Sequence, residues 1–348
     1  MTRATWRAGL AALGLGASAL PAAAQAVSPD NAAAAEARVG DLLARLTPDE
    51  KLSLLGGDRE FYIRSIPRLG LPEIRMADSP LGVRNYGPST AYPAAVGLAA
   101  SWDVALAKEF GASLGSDARA RGVHIILGPA VNIIRVPQNG RNFEYLSEDP
   151  YLSGSFAGQI VLGIQSQGVV ATVKHFAANN QETERDTIDA RVGERALREI
   201  YLPAFRAAID QGHAWAVMAA YNRLNGTYCS ANDWLNNKVL KGDWGFKGVL
   251  MSDWNAAHDT LGAANGGLDL EMPAGAYMNP AALKPLLASG QVAQAAIDDK
   301  VRRILRLEVA NGFLDRTQAT STPKDDPHSD AVALKVAREA VVLLKNEH

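Results

Sequence analysis

Six short apolar runs, five of them carrying polar or charged residues at their carboxyl ends, constrain this chain more than anything else in it. They are 73–78 (EIRMAD), 123–129 (VHIILGP), 169–175 (VVATVKH), 214–222 (AWAVMAAYN), 248–254 (GVLMSDW) and 268–273 (LDLEMP). Amphipathic stretches such as 194–210 (ERALREIYLPAFRAAID) separate them. Near-continuous apolar strands alternating with helices predict a parallel sheet covered on both faces. Asp78, Lys174 with His175, Tyr221 with Asn222, Asp253 and Glu271 all fall at the carboxyl ends of these runs. In a (β/α)8 barrel those ends converge on one mouth, where the active site is built. The fold class expected is therefore α/β, a TIM-barrel-like domain. No GxGxxG or GxxxxGK[ST] loop follows any run, which disfavours a doubly wound nucleotide fold.

A chain of 348 residues can hold such a barrel, for which about 250 residues is typical. With 35 basic against 37 acidic side chains it has no electrostatic footprint for nucleic acid or an anionic membrane, so a small neutral partner is expected. Arg3 and Arg7 precede the apolar run 8–20, and Ala24, Gln25 and Ala26 then give a small-residue cleavage pattern, so residues 1–26 read as a secretory signal peptide. This predicts a periplasmic or secreted protein with no membrane association once the signal is removed. Cys229 is the only cysteine, so no intramolecular disulfide can form.

Thr47, Pro48 and Glu50 have the spacing of a helix start with a capping box. The barrel domain is expected to run over 27–316. The polar stretch 317–330, with Pro323 and Pro327, reads as a linker. Residues 331–348 would then be the first helix and first strand (VVLLKN) of an incomplete second α/β domain.

Several residue types fit chemistry on sugars. Asp253, at the end of an apolar strand and close to a cation, can act as a carboxylate nucleophile, and Trp254 offers a flat face for a sugar ring. Asp253 as an ordinary helix cap accounts for its position equally well. Lys174 could bind or form a Schiff base, and His175 could be functional or structural. As neighbours on a strand they should point to opposite faces unless the chain leaves the pleat there. Asp78 could accept from a vicinal diol or serve its own turn, followed by Arg84. The loop 139–154 carries Arg141, Glu144, Glu148 and Asp149, of which Arg141 could bind hydroxyls or orient a carboxylate. His124, His175, His213 and His258 are scattered and no HExxH is present, so neither metal nor cofactor is expected.

Taken in order, MADSPLGVR, AYPAAVGLAASWD, LGPAVNI, GRNFEYLSEDP, VVATVKHFAANNQE, RALREIYLPAF, AVMAAYNRLNG, WGFKGVLMSDW, GLDLEMP and AREAVVLLKN resemble glycoside hydrolase family 3 and its two-domain β-glucosidases over residues 40 to 348. The resemblance implies an exo-acting, retaining hydrolase of β-glucosides or oligosaccharides. In it Asp253 is the nucleophile and Trp254 the wall of the neighbouring subsite. Asp78, Arg141, Lys174, His175 and Tyr221 grip the nonreducing sugar, and Met218 lines its pocket. A β-xylosidase and a noncatalytic sugar-binding barrel are the alternatives. Two-domain members take their acid/base glutamate from the second domain, so no acid/base is assigned here and activity is expected to be impaired. The single-domain β-N-acetylglucosaminidases of the family use a histidine in the loop after the Lys-His strand, and no histidine follows His175 there. Ser79 stands where the family usually has glycine.

Overall fold

The computed structural model describes residues 33–318 and 323–348. The expected signal peptide, 1–26, lies outside the described residues. Five of the six apolar runs form strands. We label Tyr62–Ile63 β1, Ile74–Asp78 β2, Ile125–Leu127 β3, Val170–Phe176 β4, Ala216–Ala219 β5 and Val249–Ser252 β6. They make one sheet in that order, with β1 antiparallel to β2 and every later pair parallel. All seven residues of β4 are buried, as a strand covered on both faces requires.

The sixth run differs from expectation. Leu268–Pro273 makes only single bridges, Met251 to Leu270 and Gly56 to Glu271. Those bridges carry the curl of the sheet onward: Ser252 N donates to Leu270 O (2.9 Å), Glu271 N to Leu55 O (2.8 Å) and Gly57 N to Glu271 O (2.8 Å). The architecture is thus a curled, mostly parallel, barrel-like sheet. Asp269 explains why ladder pairing fails in this run, because its carboxylate takes the Leu250 N–H at 2.9 Å that a neighbouring strand would otherwise bond.

Helices pack outside. Val104–Ala120 lies on Pro150–Ser166, which lies on Pro203–Asp210, and Ala33–Arg45 lies on Gln294–Ala310. The capping box at Thr47 and Glu50 forms as its spacing predicts. The stretch 194–210 is not one regular helix. It widens into π-type turns over Leu197–Tyr201 and resumes at Pro203, whose missing N–H suits a first helical turn.

The expected linker and second domain also look different. Gln318 is buried and donates to Val123 O (2.7 Å) and Gly168 O (2.9 Å), which ties it to the barrel. A helix spans Pro327–Glu339, so Pro327 begins a helix capped by Asp326 rather than breaking a linker. Its buried Ser329 donates to Asp117 Oδ1 (2.7 Å) and Lys335 pairs with Glu109 (2.8 Å), docking it on the barrel. Residues 341–348, read from sequence as holding a strand, form none.

Candidate active site

The carboxyl ends of β2 to β6 open on a cavity of about 360 Å³. All eight residues expected at the site line it: Asp78, Arg141, Lys174, His175, Met218, Tyr221, Asp253 and Trp254. Glu271 and Asn222, also expected at strand ends, do not. Glu271 turns onto its own loop and accepts from the backbone of Ala276 (3.0 Å) and Tyr277 (2.9 Å). Asn222 donates to backbone carbonyls, Arg223 O at 2.9 Å among them.

Both Lys174 and His175 face the cavity because β4 breaks register between Val173 and Phe176. Asn132 fills the gap, accepting from His175 N (2.8 Å) and donating to His175 O (2.9 Å), so the backbone groups that lose ladder partners stay bonded. Asn132 sits within LGPAVNI, but no pattern in the sequence marks it as a partner of residue 175.

Lys174 Nζ donates to Asp78 Oδ1 (3.0 Å) and to Ser79 O (3.0 Å). Both contacts engage the amine as a donor to Asp78 and Ser79, which gives no support to a Schiff-base role. Arg84 Nη1 bonds the other Asp78 oxygen at 2.7 Å. Burial alone would raise the Asp78 pKa, yet the charge and hydrogen bond of Lys174, with Arg84, hold it below the usual value of 3.8. Ser79 is fully buried and keeps its carbonyl on Lys174, while its Oγ, the side chain in place of glycine, is buried without a hydrogen-bond partner.

Arg141 pairs with Glu144 through Nε and places Nη2 2.9 Å from His175 Nε2. A guanidinium can only donate, so His175 Nε2 must accept and the ring proton must sit on Nδ1. Burial, then the charges of Arg141, Lys174 and Arg185, push the His175 pKa well below 6.5, so the ring is neutral. Its 3.5 Å approach to Asp253 Oδ2 is therefore not an ion pair.

Asp253 follows β6 directly, and the sequence leaves open whether it serves as a helix cap. The structure answers this: the next helix starts at Thr260 and is capped by Asp259. Asp253 Oδ1 accepts from Trp254 N at 2.7 Å, while Oδ2 is buried with no hydrogen-bond partner. Burial raises the Asp253 pKa above 3.8, and Lys174, the Trp254 amide, Tyr221 and Arg141 each pull it back. The result is a desolvated carboxylate with one uncommitted oxygen, hemmed by cations.

Phe61, Phe143, Leu127 and Arg185 also line the cavity and were not singled out in the sequence. Phe61 packs on Trp254 with ring centroids 5.0 Å apart. Arg185 lies over the Tyr221 ring at 4.2 Å from its centroid. None of the four ends an apolar run on a polar residue, the signal that marked Asp78, Lys174, His175, Tyr221 and Asp253. Among the described residues no group of three or more His, Cys, Asp or Glu side chains is arranged to hold a metal ion, and no helix is long and apolar enough to cross a membrane.

Comparison with known proteins gives a consistent picture. Residues 30–307 match the glycosyl hydrolase family 3 N terminal domain. A β-glucosidase of Bacteroides ovatus is 41% identical over 339 residues, covering 89% of this chain and 45% of its own length. An exo-α-(1→6)-L-arabinopyranosidase of Bifidobacterium longum is 39% identical, covering 87% of this chain and 41% of its own. The structure of β-glucosidase 3B from Thermotoga neapolitana in complex with α-D-glucose superimposes with a TM-score of 0.84 at 40% identity, over 89% of this chain and 48% of that one. The chain thus spans about half the length of the relatives it matches.

Proposed function

Because the chain belongs to glycosyl hydrolase family 3, we propose that it acts on terminal nonreducing β-D-glucosyl residues with retention, through a covalent glycosyl-Asp253 intermediate. One observation carries the reading: Asp253 Oδ2 is buried with no hydrogen-bond partner, in a cavity lined by groups that bind hydroxyls. In this reading Asp78 accepts from sugar hydroxyls, and Lys174 and Arg141 donate to them. Trp254 with Phe61 supplies an apolar face. Oδ2 attacks the anomeric carbon as the aglycone oxygen leaves with the bonding pair, and water later cleaves the ester with a second inversion. Lys174, Tyr221 and Arg141 keep Asp253 ionised against its desolvation.

Retaining hydrolysis also needs a second carboxyl group about 5 to 5.5 Å from the nucleophile, and we assign that role to no residue of this sequence. Protonating a poor leaving group is typically worth 10²- to 10⁴-fold, so alkyl glucosides should turn over slowly while activated phenolates lose far less. A pentopyranoside substrate is the second reading, favoured by the relative named as an arabinopyranosidase. Export to the periplasm or beyond is proposed from Arg3, Arg7 and the apolar run after them.

The test is intact-mass analysis of the chain after incubation with a dinitrophenyl 2-deoxy-2-fluoro-β-glucoside, which leaves as a stable phenolate. One adduct, mapped to Asp253 and absent in Asp253→Asn, is expected. A folded parent chain without adduct, or an Asp253→Asn chain still labelled, overturns the proposal. The xyloside analogue labelling faster than the glucoside would shift the assignment to pentopyranosides.

A further inference from the structure

The loop after β4 puts one carboxylate between two arginines. Glu182 Oε2 accepts from Arg185 Nη1 at 3.0 Å, and its Oε1 accepts from Asn179 Nδ2 at 3.1 Å and lies 4.0 Å from Arg141 Nε. Arg185, so held, lies over the Tyr221 ring at 4.2 Å from the centroid. Tyr221 in turn acts on Asp253: its hydroxyl lowers the proton affinity of that carboxyl, and the carboxylate raises that of the phenol. The other groups that face Asp253 are Lys174, His175 and Arg141.

Tyrosine stacked by a guanidinium is held in its ring plane as well as along its bond to Cβ, since cation–π attraction acts on the face and the guanidinium matches it as a flat group. Glu182 holds the fork of Arg185 through Nη1 at 3.0 Å, and Asp186 lies 3.8 Å from its Nε. We propose that Glu182 and Arg185 form a positioning pair, which fixes the Tyr221 ring in the cavity it shares with Asp253, its hydroxyl turned toward that carboxylate. Neither residue of the pair touches Asp253. This inference rests on the nucleophile assigned above, but its test needs no turnover.

The experiment is a carbon-13 NMR titration of the Asp253 carboxyl in the aspartate-labelled chain, with the resonance assigned by Asp253→Asn. It is run on the parent, Arg185→Met, Tyr221→Phe and the double variant, with circular dichroism to verify the fold. Removing the hydroxyl that favours the charged carboxyl should raise the Asp253 midpoint in Tyr221→Phe, by up to roughly one pH unit. Arg185→Met should raise it in the same direction, and by little once Tyr221→Phe is in place. A simple charge effect of Arg185 would persist unchanged in the double variant, and that additivity overturns the inference. So does an unshifted midpoint in Arg185→Met. Arg185→Gln, which keeps a donor for Glu182 but loses the stacked plane, replaces Arg185→Met if the latter unfolds. Failure of the nucleophile assignment is read separately, as a folded parent that takes no fluoroglucoside label.

Discussion

At the residue scale, the site depends on keeping one acid charged and one base neutral within 3.5 Å of each other. His175 should accordingly keep the Nδ1-protonated neutral ring through the range around pH 6.5 in which an ordinary histidine titrates. Long-range proton–nitrogen NMR of the labelled ring checks this. A midpoint near 6.5 would mean that Arg141 does not donate to Nε2. The stability consequence has a definite sign. A buried histidine with a depressed pKa stays neutral in the folded state while the unfolded one charges, so stability falls as pH drops below 6.5. Most of the residues around this pair could be read in advance from their place at the end of an apolar run. Arg185 and Phe61 could not, because they reach the cavity from loops whose path is set by tertiary contacts, Arg185 through Tyr221 and Phe61 through Trp254.

At the scale of the element, local sequence signals held where the signal was itself local. The capping box at Thr47 is made by two residues three positions apart, Thr47 and Glu50, and it forms. Five apolar runs became strands, whereas LDLEMP did not, because Asp269 diverts the Leu250 N–H. Pro327 misled for a related reason: a proline marks a helix start or a break equally well, and only Asp326 as the cap and the buried face of Ser329, Val332 and Val336 decide for the start. The helix Gln294–Ala310 carries a further feature, Glu308, which is buried with Oε2 unpartnered. Burial alone raises its pKa to about 8 from 4.5. Between those two values the folded chain holds a proton that the unfolded chain has lost, so this group's contribution is fully present below pH 4.5 and is lost as pH rises through 8. Glu308→Gln, which resembles the protonated acid, should therefore melt above the parent at pH 8, with the gap closing toward pH 4.5. The slope is at most roughly 1.4 kcal/mol per pH unit. Melting curves across that range decide the matter, and a gap independent of pH would mean that Glu308 finds a partner.

For the whole molecule, the segment beyond the docked helix presents a continuous run of exposed aliphatic side chains. Val341, Val342, Leu343 and Leu344 are 79%, 57%, 74% and 91% exposed, in a run with no proline and no internal charge. Such a run is suited to pairing with another extended chain. A formal net charge of −2 offers little repulsion against it. We expect this chain in isolation to associate as its concentration rises, and the substitution of Leu343→Asp with Leu344→Lys to suppress that association while leaving the net charge unchanged. Exposed substitutions away from packing usually change stability by no more than about 0.5 kcal/mol, so the melting temperature should hardly move. Sedimentation velocity over a concentration series, paired with melting curves, separates the possibilities. Undiminished association would place the sticky surface elsewhere, and a clear fall in melting temperature would show that Leu343 and Leu344 pack against the barrel in solution.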